Sequence, residues 1–242
     1  MNTRYFQLLL TAIYSAMLMN ACSSDTDAAQ KEENAGDFPD TTNAAAIVQR
    51  LEELGYLSYA DPKDHESIRL EMIDKLGRYG ELSTELDTVT RESLDYRLHG
   101  LDNESLFERD GFLNKINDLQ PAFRKIGLTI TVSDYLDTIH TDGSYSRNLT
   151  INGRHYKVFD RFREMGWGEA AKSFAEILNE QLSMQNSKER VYLISGGNDG
   201  GMVFLTDAQF QYLDSVLTNL EWKPMRVEDW WKVSYDNNVD AR

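Results

Sequence analysis

The sequence contains a single cysteine, Cys22, among 242 residues. A lone thiol cannot form an internal disulfide, so the folded part of the chain must be held together by its core. Positive charge is also scarce, because 25 lysine and arginine residues face 40 aspartate and glutamate residues, for a formal net charge of −15. This balance argues against nucleic acid and anionic lipid as direct partners, and it permits a basic protein as partner.

Motifs for catalysis and cofactor binding are missing as well. The four histidines, His65, His99, His140 and His155, have neither the HExxH pattern nor any other paired spacing. Ser195 lacks the GxSxG surroundings of a serine nucleophile. We therefore expect no cofactor and no metal. A pair of Asp or Glu residues that cleaves glycosidic bonds stays an alternative, because the fold brings such residues together and they need not follow a sequence pattern.

Long apolar runs are absent, and one short run stands near the start. The stretch from Phe6 to Met19 follows Arg4 and precedes Ala21. It is shorter than the about 20 apolar residues that a transmembrane helix needs. A positive start, a short apolar run and a small residue before the cleavage point are typical of a secretory signal. We expect residues 1–21 to be a removed signal peptide.

The segment LMNAC, which ends at Cys22, resembles the lipobox of bacterial lipoproteins. The resemblance covers the first two dozen residues. It implies that the Cys22 thiol carries lipid, such as palmitate, and becomes the new N-terminus. It also implies a cell-envelope protein that is lipid-anchored to the outer membrane and faces the periplasm or the surface. The alternative is an ordinary signal peptide followed by a free thiol.

The remaining chain divides by composition. Residues 22–42 are rich in Ser, Asp, Glu, Asn and Ala, which predicts a flexible lipidated tether. Residues 43–242 are long enough for a single globular domain. Removal of residues 1–21 would also remove Arg4 and make the net charge one unit more negative.

Helical spacing dominates the first half of the expected domain. It predicts a helix over 43–54 and a second helix that starts at Asp61-Pro62 and ends at Gly80. A third helical stretch over 104–126 should be broken or kinked at Pro121.

Strand patterns dominate the second half. Residues 128–132 alternate between apolar residues and threonine, which predicts a half-buried strand. Asn152-Gly153 predicts a two-residue hairpin turn that pairs Ile151 with Arg154 and Leu149 with Tyr156. Further on, the pattern predicts a helix over 168–185, strands over 190–195 and 202–205, and a helix opened by a capping box at Thr206. We therefore expect an α+β fold, with N-terminal helices followed by an antiparallel sheet covered by helices.

The GGNDGG loop over 196–201 is a candidate site. A phosphate loop would be followed by a helix, whereas a strand follows here. A hairpin connection is therefore the favoured interpretation, with Asn198 and Asp199 displayed at its tip as possible partner-binding residues.

Two clusters leave alternatives open. An aromatic cluster near the end of the sequence could form a stacking platform for sugars, or it could pack the end of the chain onto the sheet. The cluster consists of Trp222, Trp230, Trp231 and Tyr235. We include Trp230 and Trp231 among the possible partner-binding residues. The acidic stretch 134–142 could bind a cation or be a solvated loop.

Four segments, YADPKD, INGRHYKVF, WGEAAKSFAEILNEQL and GGNDGGMVFLT, together resemble a set of uncharacterised bacterial proteins. The resemblance covers most of residues 47–220. It implies one compact domain and carries no catalytic residue to this chain.

The favoured hypothesis is an exported, membrane-anchored lipoprotein that acts as a non-enzymatic protein-binding module, of inhibitor or immunity type, with a basic protein as partner. Two alternatives come from other classes. One is a hydrolase of envelope or dietary glycans that uses an Asp/Glu pair, and the other is a structural envelope lipoprotein. Two carboxylates that face each other in a cleft would favour the hydrolase.

Overall fold

The structure is a computed structural model that describes residues 41–91, 93–164, 166–195 and 199–235. The predicted signal peptide, Cys22 and nearly all of the predicted tether lie outside the described residues. Helices and antiparallel strands make up most of the described chain, which confirms the α+β class. Within the described ranges, no helix is both long and apolar enough to cross a bilayer.

The first half is helical apart from one short strand. Its elements are α1 (Thr41–Glu53), α2 (His65–Tyr79), β1 (Leu98–Asp102), α3 (Asn103–Phe107), α4 (Gly111–Asp118) and α5 (Gln120–Ile126). The second half begins with β2 (Val132–Ile139), β3 (Tyr145–Ile151) and β4 (Arg154–Phe162). It continues with α6 (Trp167–Met184), β5 (Glu189–Ile194), β6 (Asp199–Thr206), α7 (Asp207–Val216) and α8 (Val227–Ser234).

Glycines end the first two helices, as predicted. Gly55 has φ 79° directly after α1, and Gly80 has φ 64° at the end of α2. Both values lie in the left-handed region that glycine adopts without steric cost. The predicted start at Asp61 is only partly right, because a short 3₁₀ turn, Pro62–Asp64, precedes α2 and the Asp61 side chain makes no cap. Its carboxylate instead accepts a hydrogen bond from Lys125 Nζ at 3.0 Å.

The predicted helix over 104–126 is three short helices. Pro121 lies in the first turn of α5, where its missing N–H group leaves no helical hydrogen bond unmade. The helical stretch is therefore interrupted next to Pro121, as predicted. A second break separates α3 from α4. A Cβ atom at Gly111 would lie 2.3 Å from the carbonyl oxygen of Ser105, so only glycine fits this close turn between helices.

One sheet has the order β2-β3-β4. Its β3–β4 hairpin has the predicted register, with Ile151 opposite Arg154 and Leu149 opposite Tyr156. The two turn residues, Asn152 and Gly153, have φ values of 51° and 79°, as a type I′ turn requires.

The predicted strand over 128–132 is wrong in its bounds, because β2 begins only at Val132. The alternation is nevertheless real, since Leu128 and Ile130 are buried. Residues outside the strands bond most of the backbone here. Gln185 Oε1 accepts from the N–H of Thr129 at 2.9 Å, Asn152 Oδ1 accepts from the N–H of Thr131 at 3.0 Å, and the backbone N–H of Asn152 donates to the carbonyl oxygen of Thr131 at 2.9 Å.

The second sheet has the order β1-β6-β5 and is covered on both faces. Alternate residues of β5 and β6 contribute to two separate cores. Val191 and Phe204 pack with α4, α5, α6, α8 and the first sheet, while Tyr192 and Val203 pack with α1, α2 and α7. The antiparallel strands form two sheets of three strands, because among the described residues β2, β3 and β4 pair with one another and not with β1, β5 or β6.

The helix after β6 begins as predicted. Thr206 Oγ1 accepts from the N–H of Gln209, and the Gln209 side chain accepts from the N–H of Thr206. The Gln209 amide also donates to the carbonyl oxygen of Leu54 at 3.1 Å, which ties the start of α7 to the end of α1. The outer edge of β5 is occupied by Met225, which exchanges two backbone hydrogen bonds with Leu193.

Candidate functional site

A cleft runs along the outer edge of β1, the terminal strand of the β1-β6-β5 sheet. Two adjoining cavities form it, with volumes of about 520 and about 460 Å³. Both volumes lie in the range usual for ligand pockets. Gly100, Lys115 and Asp118 line both cavities, so these three residues mark the middle of the cleft.

The register of β1 decides which of its backbone groups face the cleft. The N–H of Phe204 donates to the carbonyl oxygen of Arg97, so Arg97, His99 and Leu101 direct their backbone groups toward β6. Leu98, Gly100 and Asp102 therefore direct theirs outward. Two contacts agree with this: the N–H of Leu98 bonds Asp95, and the carbonyl oxygen of Gly100 accepts from Lys115 Nζ at 2.7 Å.

Buried polar residues hold the start of β1 in place. The Arg97 guanidinium donates to Glu189 Oε2 at 2.9 Å and to the carbonyl oxygens of Tyr56 and Phe204. The neighbouring carboxylate of Asp95 accepts from the Tyr56 hydroxyl at 3.0 Å and from the N–H of Arg97 at 2.8 Å. This network joins β1 to the turn after α1 and to both other strands of its sheet, so the cleft has one rigid wall.

The far end of β1 is fixed by a helix cap. Asp102 accepts hydrogen bonds from the N–H and the hydroxyl of Ser105, and these bonds lower the pKa of its carboxyl group. A glycosidase needs one carboxylic acid whose pKa is raised. Asp102 is therefore suited to capping α3 and unsuited to general-acid chemistry.

Two basic side chains in the cleft have lowered pKa values. Burial lowers the pKa of His99 to about 4, although Asp95 opposes the effect. The neutral ring donates through Nε2 to the carbonyl oxygen of Tyr96 and packs edge-on against Phe204. Burial also lowers the pKa of Lys115. Perturbed groups in a cleft are a recognised mark of functional sites.

The walls of the cleft differ along its length. Exposed acidic residues, Asp102, Glu108 and Asp118, surround the larger cavity together with Arg109 and Lys115. The outer end of the smaller cavity has Leu86, which is 38% exposed, beside the polar residues Thr90 and Arg91. The cleft thus offers three carboxylates around the larger cavity and one exposed leucine in the smaller cavity.

Comparison of the chain with protein-family models, with curated proteins and with solved structures finds no match. The functional argument therefore rests on the residues themselves.

The predicted site residues lie in different places. Cys22 and Asn198 are outside the described residues. Asp199 begins β6, and its backbone stands opposite Asp102 in the ladder. β5 and β6 pair as antiparallel neighbours, as the hairpin interpretation of the GGNDGG segment requires.

The tryptophans pack rather than form an open platform. Trp230 is 1% exposed, and its Nε1 donates to the carbonyl oxygen of Ser195 at 2.7 Å. Its burial removes it from the surface that a partner could touch. Trp231 is partly exposed and stacks on Tyr235, with ring centroids 4.9 Å apart.

The acidic stretch 134–142 is more than a solvated loop, because most of it belongs to β2. Asp137 lies on β2 and forms a buried ion pair with Arg147 at 2.8 Å. Asp142 accepts from Ser144 and from Arg163. Among the described residues, no group of three His, Cys, Asp or Glu side chains is placed to hold a metal.

Sequence reasoning missed Arg97, Arg147 and Lys115. Each binds backbone carbonyl groups that belong to other elements: the Arg97 guanidinium reaches Phe204, 107 residues away, and Arg147 reaches the carbonyl oxygen of Leu106. No local spacing signals such a contact.

Proposed function

We propose that the protein is an exported lipoprotein, anchored to the cell envelope through Cys22, and that it binds another protein without catalysing a reaction. The cleft along β1 is the proposed binding surface, and an inhibitor or immunity role is the specific form of the proposal. The observation that carries it is the outward edge of β1, whose backbone groups open onto two cavities. Polar backbone edges of this kind are recurrent protein-recognition surfaces.

Charge supports a basic partner. The chain has a formal net charge of −15, and Asp102, Glu108 and Asp118 line the larger cavity. Complementary charge also speeds encounter and selects among partners.

The test is site-specific crosslinking in the intact cell. In one variant Asn114, an exposed residue that lines the larger cavity, is replaced by the photo-crosslinking amino acid p-benzoylphenylalanine. In the control, Gln49, exposed on α1, is replaced in the same way. We expect light to join a basic protein to the chain at position 114 and not at position 49. Identical adducts at both positions, or none at position 114, would contradict the proposal.

A further inference from the structure

The outer edge of β1 is occupied at its middle by one side chain. Lys115 extends from α4 across the cleft and donates from Nζ to the carbonyl oxygen of Gly100 at 2.7 Å. An amide of an added strand would bond this same oxygen. Lys115 lines both cavities, so its side chain lies where they adjoin.

The rest of that edge is suited to receive a strand. Gly100 is exposed, and a Cβ atom at this position would have no heavy atom within 4 Å. The sheet behind it is rigid, because Arg97 and Asp95 fix the start of β1 and the Asp102 cap fixes its end. Exposed edges are commonly protected by lysine, which prevents unwanted pairing between chains.

We propose that an extended basic segment of the partner binds as a fourth strand along β1, and that Lys115 occupies the edge until this segment displaces it. The inference rests on the proposed function and names the mode of binding and the kind of segment. Main-chain hydrogen bonds to Gly100, to Asp102 and to the carbonyl oxygen of Leu98, whose N–H already bonds Asp95, would supply affinity. Displacement of Lys115 from Gly100 joins the two cavities into one continuous groove.

The walls select the chemistry of the segment. Lysine or arginine side chains of the incoming strand face Asp102, Glu108 and Asp118 around the larger cavity. An apolar residue at the other end of the strand contacts Leu86 in the smaller cavity. An acidic segment would meet these three carboxylates and be rejected, since repulsion contributes to specificity as attraction does.

The experiment measures the binding of synthetic peptides to the purified protein by fluorescence anisotropy. The basic probe is an eight-residue peptide of alternating valine and threonine with lysine at three positions and leucine at one end. A second probe carries glutamate in place of lysine, and a third is the basic probe with N-methyl groups on alternate amides. We expect the basic probe to bind, and the acidic and N-methylated probes to bind at least about tenfold more weakly.

The decisive variant is Lys115→Met, which keeps the apolar stem and removes the group that bonds Gly100. It should bind the basic probe about tenfold more tightly than the wild type, because the probe no longer competes for the Gly100 carbonyl oxygen. Arg109→Met is the matched control. It removes one positive charge from the same cavity, but Lys115 and not Arg109 is the residue that bonds Gly100. Arg109→Met should therefore tighten binding only about twofold to fivefold. Circular dichroism melting curves verify that both variants are folded.

Other outcomes overturn the inference in distinguishable ways. Equal gains for the two variants, or full binding by the N-methylated probe, would mean that the cleft binds by charge alone, and the proposed function would stand without strand addition. If none of the probes binds either protein, strand addition is rejected, and the crosslinking experiment still decides the proposed function. If Lys115→Met forms a dimer that the basic probe does not dissociate, the occupant of the edge is a second copy of this chain and not a partner segment.

Discussion

Arg97 and Glu189, which are 92 residues apart in the sequence, form a buried ion pair with 2.9 Å between Nη1 and Oε2. The pair joins the start of β1 to the start of β5, although these strands are not neighbours in their sheet. The Arg97 guanidinium also lies over the ring of Tyr59, whose hydroxyl donates to the same carboxylate. Each of the two buried charges is therefore the direct ion-pair partner of the other.

Glu189→Gln should lower the free energy of unfolding by about 3 kcal/mol, because it leaves the Arg97 charge buried without its counterion. Urea unfolding followed by circular dichroism measures the change. Glu53→Gln is the control, since it breaks the exposed pair with Arg50 and should change stability by no more than about 0.5 kcal/mol. Similar losses of unfolding free energy in the two variants would show that the buried pair contributes no more to stability than the exposed pair does.

Gly153→Val should lower the free energy of unfolding by more than about 1 kcal/mol. Gly153 has φ 79°, and a β-branched residue reaches this conformation only with strain. Gly100→Val provides the comparison, because Gly100 lies on a strand with open space around its Cβ position. Thermal melting of both variants tests the expectation. An unchanged melting temperature for Gly153→Val would show that a β-branched residue is accommodated in the turn without strain.

His99 makes stability depend on pH. Burial lowers the pKa of His99 from 6.5 to about 4, so between these pH values the unfolded chain binds a proton that the folded chain does not. The free energy of unfolding therefore falls as the pH drops from about 6.5 to about 4, with a contribution of up to about 3 kcal/mol from this residue. Below that range the contribution is constant.

Urea unfolding at a series of pH values measures this effect as a difference between two proteins. His99→Phe keeps an aromatic ring beside Phe204 and has no titrating group, so its stability should fall less than that of the wild type over the same range. Parallel curves for the two proteins would mean that His99 titrates normally in the folded state.

Cys22→Ser should abolish labelling by radioactive palmitate and release the protein from the membrane fraction, because the proposed anchor is attached to this thiol. The wild type, expressed beside it, should take up label and sediment with membranes. If the wild type takes up no label, and both proteins fractionate alike, the lipoprotein proposal fails.

Local signals in the sequence predicted those parts of the fold that local interactions determine. The Asn152-Gly153 turn, the glycine stop at Gly80 and the Thr206 capping box each depend on residues within a few positions of one another, and each is confirmed. The strand prediction was wrong where groups that are distant in the sequence bond the backbone. Residues 128–131 alternate like a strand, but Gln185 and Asn152 bond their backbone in place of a neighbouring strand.

The cleft could not be predicted for the same reason. Gly100 lies in the middle of the cleft, and a glycine at this place in the sequence only indicates a weak strand. Lys115, which bonds Gly100, belongs to α4, and the start of α4 depends on the close approach of Gly111 to Ser105. The burial of Arg147 and Trp230 depends likewise on three-dimensional packing and not on spacing. Composition indicated an acidic chain, but it did not predict that Asp102, Glu108 and Asp118 lie around one cavity.

The strand order of the β1-β6-β5 sheet also sets the sequence of events in folding. β6 is the last of these three strands in the chain and lies between the other two, so β1 and β5 have no strand partner in this sheet until residues 199–206 are available. The β2-β3-β4 sheet, by contrast, joins neighbours in sequence and can form early. A chain that emerges slowly from a ribosome therefore keeps β1 and β5 without a strand partner in this sheet until most of its length has been made.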